Sequence, residues 1–401
     1  MQWTRPQGFW LVAATLFAFM AAASAPSPLY VVYQARWHFS STTLTTVFAV
    51  YALALLVALV TAGGISDFVG RRRALLAALV LEVVSMAVFL GARGVAWLTT
   101  ARILQGVATG LANGAISAAL VDLAPASNPR LGSLLGSVAP SAGLAVGALG
   151  SGLLVEYAPA PRSLVFVVLL VAFVVAALAV LALPETVPGR PGALASLRPR
   201  VRVPREARGT FLVALPSLFA TWAMGGLYLS LGPSLAAGVL GTRNHVIGGV
   251  VVFALMAAGS LASWAVRDAA PERTMSGGSL VLAVGTLVSL LALEADSLAL
   301  FLVGSAVAGL GFGSAFLGAF RSLAAVARPD ERAELFAALF AVSYVAFSVP
   351  AVVAGFAVTS YGLLDTARAY AGFVVVVSLT STVLGQLRTR SVRRPVLAVE
   401  E

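Results

Sequence analysis

Twelve stretches of this chain run for roughly twenty residues or more with scarcely a charge, each long enough to cross a bilayer core of about 30 Å as a helix. They fall at 9–33, 42–65, 74–92, 95–121, 131–155, 163–183, 210–237, 245–266, 275–293, 297–326, 333–359 and 369–388. Lipid offers a backbone no hydrogen bonds, so only helices and closed barrels cross it. No tract alternates at barrel spacing. The expected class is an all-α membrane protein. Composition closes off the soluble alternative. Of 401 residues, 60% are hydrophobic and 10% are charged, whereas soluble domains carry about 25% charged residues. Sixteen acids and 26 bases cannot coat two or three soluble domains. The absence of cysteine removes disulfides, zinc thiolates, iron–sulfur clusters and thiol catalysis.

The N-terminus imitates a secretory signal. Arg5 precedes the apolar run from Phe9 to Met20, and Ala23-Ser24-Ala25 resembles a cleavage site. Pro26, Pro28, Tyr30 and Tyr33 continue the same segment, which favours a broken membrane helix. All 26 basic residues are arginine, the usage expected of a GC-rich bacterial genome. Twenty of them lie on one side of the twelve segments and five on the other, with Arg102 inside a segment. Positive charge gathers on the cytoplasmic side, so both termini are expected there, which requires an even number of spans. The net charge of +10 then suits an anionic membrane leaflet rather than nucleic acid.

Residues 184–209 are rich in Pro, Gly and Arg, a linker composition. They divide the chain into segments 1–183 and 210–388, with a cytoplasmic tail at 389–401. The halves echo each other. Gly106, Gly110 and Gly152 recur as Gly309, Gly313 and Gly355, and Asp67 and Arg72 recur as Asp268 and Arg273. Two six-helix halves related by a parallel repeat are a transporter architecture.

The turn after the second segment carries Gly63, Asp67, Gly70, Arg71 and Arg72. A positive-inside anchor explains the arginines but not the spaced glycines and the acid. This pattern resembles the loop motif of the major facilitator superfamily. Phe68 stands where that family has a basic residue. In the fourth segment Leu98, Arg102, Gln105 and Gly106 are similar to a second motif of the family, with Ala108 at a later glycine position. Leu183-Pro184-Glu185-Thr186 resembles the family's ending of the sixth helix. The resemblance covers nearly the whole chain. It implies twelve transmembrane helices in two pseudo-symmetric bundles that alternate access. It also implies that the turn is a conformational latch. Asp67 would cap the eleventh helix near Arg332 and Ala333, and Asp122 would pair with Arg71.

Inside the spans, polar residues are few. Arg102, Thr109 and Asn113 share one face of a helix. A buried Arg costs about 2.5–3.5 kcal/mol or more and so faces protein or water. It either lines a cavity or staples helices together. Glu82 is the one acid well inside a span. A neutral carboxyl or a pair with Arg102 would relieve its burial, and it is the best internal candidate for a titratable coupling group. Gly143, Gly147 and Gly152 fall at positions of the family's antiporter motif, but Ala148 and Ser151 replace its Pro and a Gly. Small residues alone make a packing seam. The first segment has no acid between Phe9 and Tyr33, where many drug–proton exchangers carry one.

The helices that line the cavity in this family bring forward Tyr30, Tyr33, Tyr51, Arg102, Asn113, Trp222, Tyr228, Phe316, Tyr344 and Phe347. As a set they describe an aromatic cavity with one positive group. That suits an amphipathic or weakly acidic organic molecule. His38 and His245 lie in outer loops, and no phosphate-binding loop is possible without lysine, so neither an enzyme nor a cofactor is implied. The expected protein is a monomeric transporter in the cell membrane, exporting small organic molecules, with protons as the expected coupling partner. Uptake or facilitated diffusion of a solute is the second reading, and a non-transporting membrane sensor the third.

Overall fold

The computed structural model describes residues 3–193, 197, 199, 201–328 and 331–393. Among these there is no strand. Twelve helices are long and apolar enough to cross a membrane. They are numbered here as spans 1 to 12: Arg5–Trp37, Ser41–Ala62, Arg71–Leu90, Val95–Asp122, Leu131–Tyr157, Leu164–Leu181, Arg205–Gly238, His245–Ala265, Pro271–Glu294, Leu298–Val326, Arg332–Tyr361 and Leu363–Arg388. The side of the molecule that carries the 184–209 linker is called the linker side, and the opposite side the far side.

Local chemistry sets several boundaries. Spans 2, 8 and 10 begin on the far side behind Ser40, Asn244 and Ser297, whose side chains accept from Thr43 N, Val246 N and Leu300 N. Each cap satisfies one of the four free N–H groups of a helix start. Span 1 is two helices, Arg5–Ser24 and Pro26–Trp37. Pro26 has no N–H to give, so the chain is re-pitched there. The outer surface is apolar, as lipid requires. Span 6 alone exposes Val167, Val168, Val171, Val175, Leu178 and Leu181.

The repeat has a packing meaning. A Cβ on Gly106 would meet the Tyr51 carbonyl oxygen of span 2, and one on Gly309 would meet the Leu255 carbonyl oxygen of span 8. Gly110 and Gly313 repeat the arrangement one turn on, against Leu55 and Gly259. Span 4 thus lies on span 2 as span 10 lies on span 8, backbone to backbone. The third pair joins the halves. Gly152 of span 5 meets His245 and Val246 of span 8, while Gly355 of span 11 meets Thr45 of span 2.

These last contacts close the far side. Thr42 Oγ1 donates to Gly355 O at 3.1 Å and lies 3.0 Å from Thr359 Oγ1. Glu156, at the end of span 5, accepts from His245 N at 2.8 Å. Its Oε2 also lies 2.9 Å from His245 Nδ1. Spans 5 and 8 stay together toward the linker side, where Ser260 Oγ donates to Val138 O at 3.1 Å. Spans 2 and 11 touch through Phe48 and Phe347 in mid-span, with ring centroids 4.9 Å apart.

Candidate functional site

The break in span 1 is where the site begins. In an unbroken helix, residue 26 would donate to the Ala22 carbonyl, but Pro26 cannot. A buried carbonyl left without a donor costs about 1–3 kcal/mol. Span 4 supplies the donors. Gln105 Nε2 donates to Ala22 O at 3.1 Å, and Arg102 Nη1 donates to Ala23 O at 3.0 Å. Span 5 adds a third, Ser151 Oγ to Ala25 O at 2.6 Å. Arg102 and Gln105 are three residues apart and therefore share a helix face. Arg102 also donates to Gln105 Oε1 at 2.7 Å. Its guanidinium lies over the Tyr51 ring at 4.1 Å and reaches Phe48 at 5.8 Å. The cation also faces the C-terminal end of the Arg5–Ser24 helix, the negative end of its dipole. These contacts explain how an Arg is only 1% exposed in the middle of a membrane span.

Across Phe48 and Phe347 lies the other half's contribution. Trp222 of span 7 meets Phe316, Tyr344 and Phe347 edge to face, at 5.7, 4.8 and 5.7 Å. Its Nε1 is buried and has no partner, and the same holds for the Tyr30 hydroxyl and Arg102 Nε. The aromatic cluster of one half thus meets the Arg102 site of the other through Phe48 and Phe347, and this junction is called the chamber below.

Not every residue expected here arrives. Tyr228 turns away into its own half, where its hydroxyl lies 2.8 Å from Ser305 Oγ and 3.3 Å from Ser289 Oγ. Ser305 occupies the repeat position of Arg102, so Tyr228 ties span 7 to span 10 and is not free to contact a solute. Tyr33 stacks on Trp37 at 4.8 Å, near the far-side end of span 1. Asn113 is half-buried and about 16 Å along span 4 from Arg102 at 1.5 Å per residue. Glu82 is fully buried on span 3 and accepts from Gln105 Nε2 at 3.2 Å. It makes no ion pair with Arg102.

The charged turn forms a second cluster on the linker side. Gly63 closes span 2, and Ser66–Val69 forms one short helix before Gly70. Gly70 has φ 97°, and a Cβ there would meet the Glu185 carboxylate. That carboxylate accepts from Arg71 N at 2.7 Å and so caps span 3 from the end of span 6. Arg72 Nη1 reaches back to Leu183 O and Leu181 O at 3.4 and 3.5 Å. Arg71 pairs with Asp67, donates to Ser66 Oγ at 2.6 Å and lies 3.5 Å from Asp122 Oδ2. Asp122 Oδ2 also accepts from Thr186 Oγ1 at 3.2 Å. Among the described residues no contact joins Asp67 to Arg332 or Ala333, and the first turn of span 11 has no side-chain cap.

Sequence reasoning passed over three participants. Glu185 was legible only as a helix-end marker, because its partner is the backbone N–H of Arg71. Phe48 was one apolar residue among many. Phe68, which departs from the family pattern, lies 4.7 Å beneath the Arg190 guanidinium, and its carbonyl accepts from Arg190 N at 2.8 Å. A positive charge thus reaches that position from the linker instead.

The fold, the repeat and the turn agree with a comparison to family models. The model for the Major Facilitator Superfamily matches residues 11–274. The chain belongs to that superfamily. Members of the Major Facilitator Superfamily are transporters, not enzymes, and this chain is a multi-pass membrane transporter of small solutes. No curated protein matches it.

Proposed function

We propose that this transporter exports small amphipathic or weakly acidic organic molecules across the cell membrane by alternating access, coupled to protons and acting as a monomer. The observation that carries this reading is the aromatic cluster of Trp222, Phe316, Tyr344 and Phe347, which meets the Tyr51–Arg102 site through the Phe48–Phe347 contact and which we read as the wall of the solute chamber. Aromatic walls bind flat apolar groups, and a cation with spare donors favours a carboxylate or a carbonyl. Twenty arginines against five support a cytoplasmic linker side and cytoplasmic termini. The halves are then 1–183 and 210–388, moving about the 184–209 linker, with 389–401 as a tail. A sealed far side makes this the inward-facing state. The turn of Gly63, Asp67, Gly70, Arg71 and Arg72, with Arg71 already beside Asp122, is the latch that Asp67 completes on span 11 in the opposite state. The lack of an acid in span 1 between Phe9 and Tyr33 favours a second reading, facilitated diffusion of the same class of solute.

The test uses purified protein in proteoliposomes with a pH gradient imposed in either direction. A panel of aromatic carboxylic acids and neutral amphipathic compounds is followed by filtration. Accumulation of an organic solute against its gradient, driven by protons, is the expected result. Equilibration without accumulation selects facilitated diffusion. Movement of no solute under either gradient removes the transport reading of the chamber and favours a sensor.

A further inference from the structure

The chamber does not need Glu82, yet Glu82 is fully buried beside it. Its Oε1 accepts from Gln105 Nε2 at 3.2 Å, and its Oε2 is buried with no partner among the described residues. Span 4 brings Arg102 toward it and span 2 brings Tyr51. Span 6, packed on the same helix, has no ionisable side chain between Leu164 and Leu181. Arg102 directs its donors to Ala23 O and Gln105 Oε1 instead of to Glu82. The Gln105 amide therefore serves two acceptors on two different spans: Glu82 Oε1, and Ala22 O at 3.1 Å. Ala22 O is the carbonyl that Pro26 deprives of its helical donor. A hydrogen bond to an ionised carboxylate is about twice as strong as one to a neutral carboxyl. An ionised Glu82 therefore pulls on this amide harder than a neutral one.

We propose that Glu82 carries the transported proton and that Gln105 relays its charge state to the break in span 1. The inference rests on the proton-coupled reading above and adds the group and the route. With the proton on, the amide stays on Ala22 O and the far side remains sealed, as in this structure. Dissociation breaks the Glu82 O–H bond, leaves the electron pair on the carboxylate and passes the proton to water on the linker side. The ionised carboxylate then draws the amide toward span 3, loosens the break in span 1 and favours the other access state. Gln105 is a positioning residue in this scheme.

The chain has no cysteine, so two introduced ones report cleanly. Spin labels at Arg73→Cys and Arg273→Cys, exposed on spans 3 and 9 at the linker side, give the distance between the halves. The ratio of wide to narrow distances should rise by about tenfold from about pH 8.5 to about pH 5.5. Glu82→Gln should hold the wide population at every pH. Gln105→Met should flatten the response although Glu82 is intact, which loss of packing alone would not do. Should Glu82→Gln fail to accumulate, Glu82→Asp should move the midpoint of the response, and an unmoved midpoint overturns the proposal. A normal pH response in Glu82→Gln overturns Glu82 as the proton site. A normal response in Gln105→Met overturns the relay. In either case gradient-driven solute movement in proteoliposomes still decides the proton-coupled reading separately. No response in the parent chain overturns both.

Discussion

Arg102 does two jobs with one guanidinium. It satisfies the Ala23 carbonyl at the break in span 1, and it stacks on Tyr51 at the chamber wall. Arg102→Lys keeps the charge but not the planar fork that stacks and bridges at once. We expect a lower melting temperature in detergent, since each buried acceptor left without a donor costs about 1–3 kcal/mol. An unchanged melting temperature would remove Arg102 as the support of the break. Gly70 is the second residue with a single solution. Its φ of 97° suits only glycine, and the space where a Cβ would go holds the Glu185 carboxylate. Gly70→Ala should cost about 1–3 kcal/mol in melting. Combined with Glu185→Gly it should cost less than the sum of the two single changes. Simple additivity would show that the two groups do not collide.

The elements were more legible than the faces they present. Twelve spans follow from length and apolarity, and the broken first span follows from Pro26 and Pro28. The repeat pairs Gly106, Gly110 and Gly152 with Gly309, Gly313 and Gly355, and each pair makes matching close approaches. What the sequence does not disclose is rotation about the helix axis. In a soluble helix the polar face marks solvent, but here lipid and core are both apolar, so the stripe is nearly erased. Tyr228 and Trp222 lie six residues apart on span 7 and read alike in sequence. One is bonded into its own half by Ser305 and Ser289, and the other faces the chamber. Glu185 was hidden for another reason: its partner is the backbone of Arg71, and backbone donors leave no pattern in sequence. At this scale Gly355 makes the sharpest prediction. Span 11 meets span 2 on the far side with its carbonyl on Thr42 and its Cα against Thr45. Gly355→Val should part these ends. A cysteine at Thr45 should then react several-fold faster with a membrane-impermeant maleimide added from the far side. No change in labelling would mean that the seal lies elsewhere.

Taken whole, the molecule is closed at one end by close-packed glycines and small polar residues, and poised at the other by charge. In the proposed cycle, switching access brings the linker-side end of span 11 to the turn after span 2. Asp67 is ready for that encounter: its side chain is 45% exposed and its bond is to Arg71, on its own turn. The start of span 11 has N–H groups without a side-chain cap. A carboxylate at a helix N-terminus is worth about 0.3–1 kcal/mol, and up to ~2 when partly buried. The repeat supplies an internal control. Asp268 occupies the matching place in the second half, but it is 77% exposed and pairs with its neighbour Arg267 at 3.4 Å, an arrangement worth about 0–1 kcal/mol. Asp67→Asn should therefore slow transport by up to roughly tenfold, the equivalent of 1.4 kcal/mol, with membrane abundance unchanged. Asp268→Asn should leave the rate within about twofold. An unchanged rate in Asp67→Asn would strip the turn of its latch role. Equal losses in the two variants would mean that surface charge, rather than reach to span 11, governs the step.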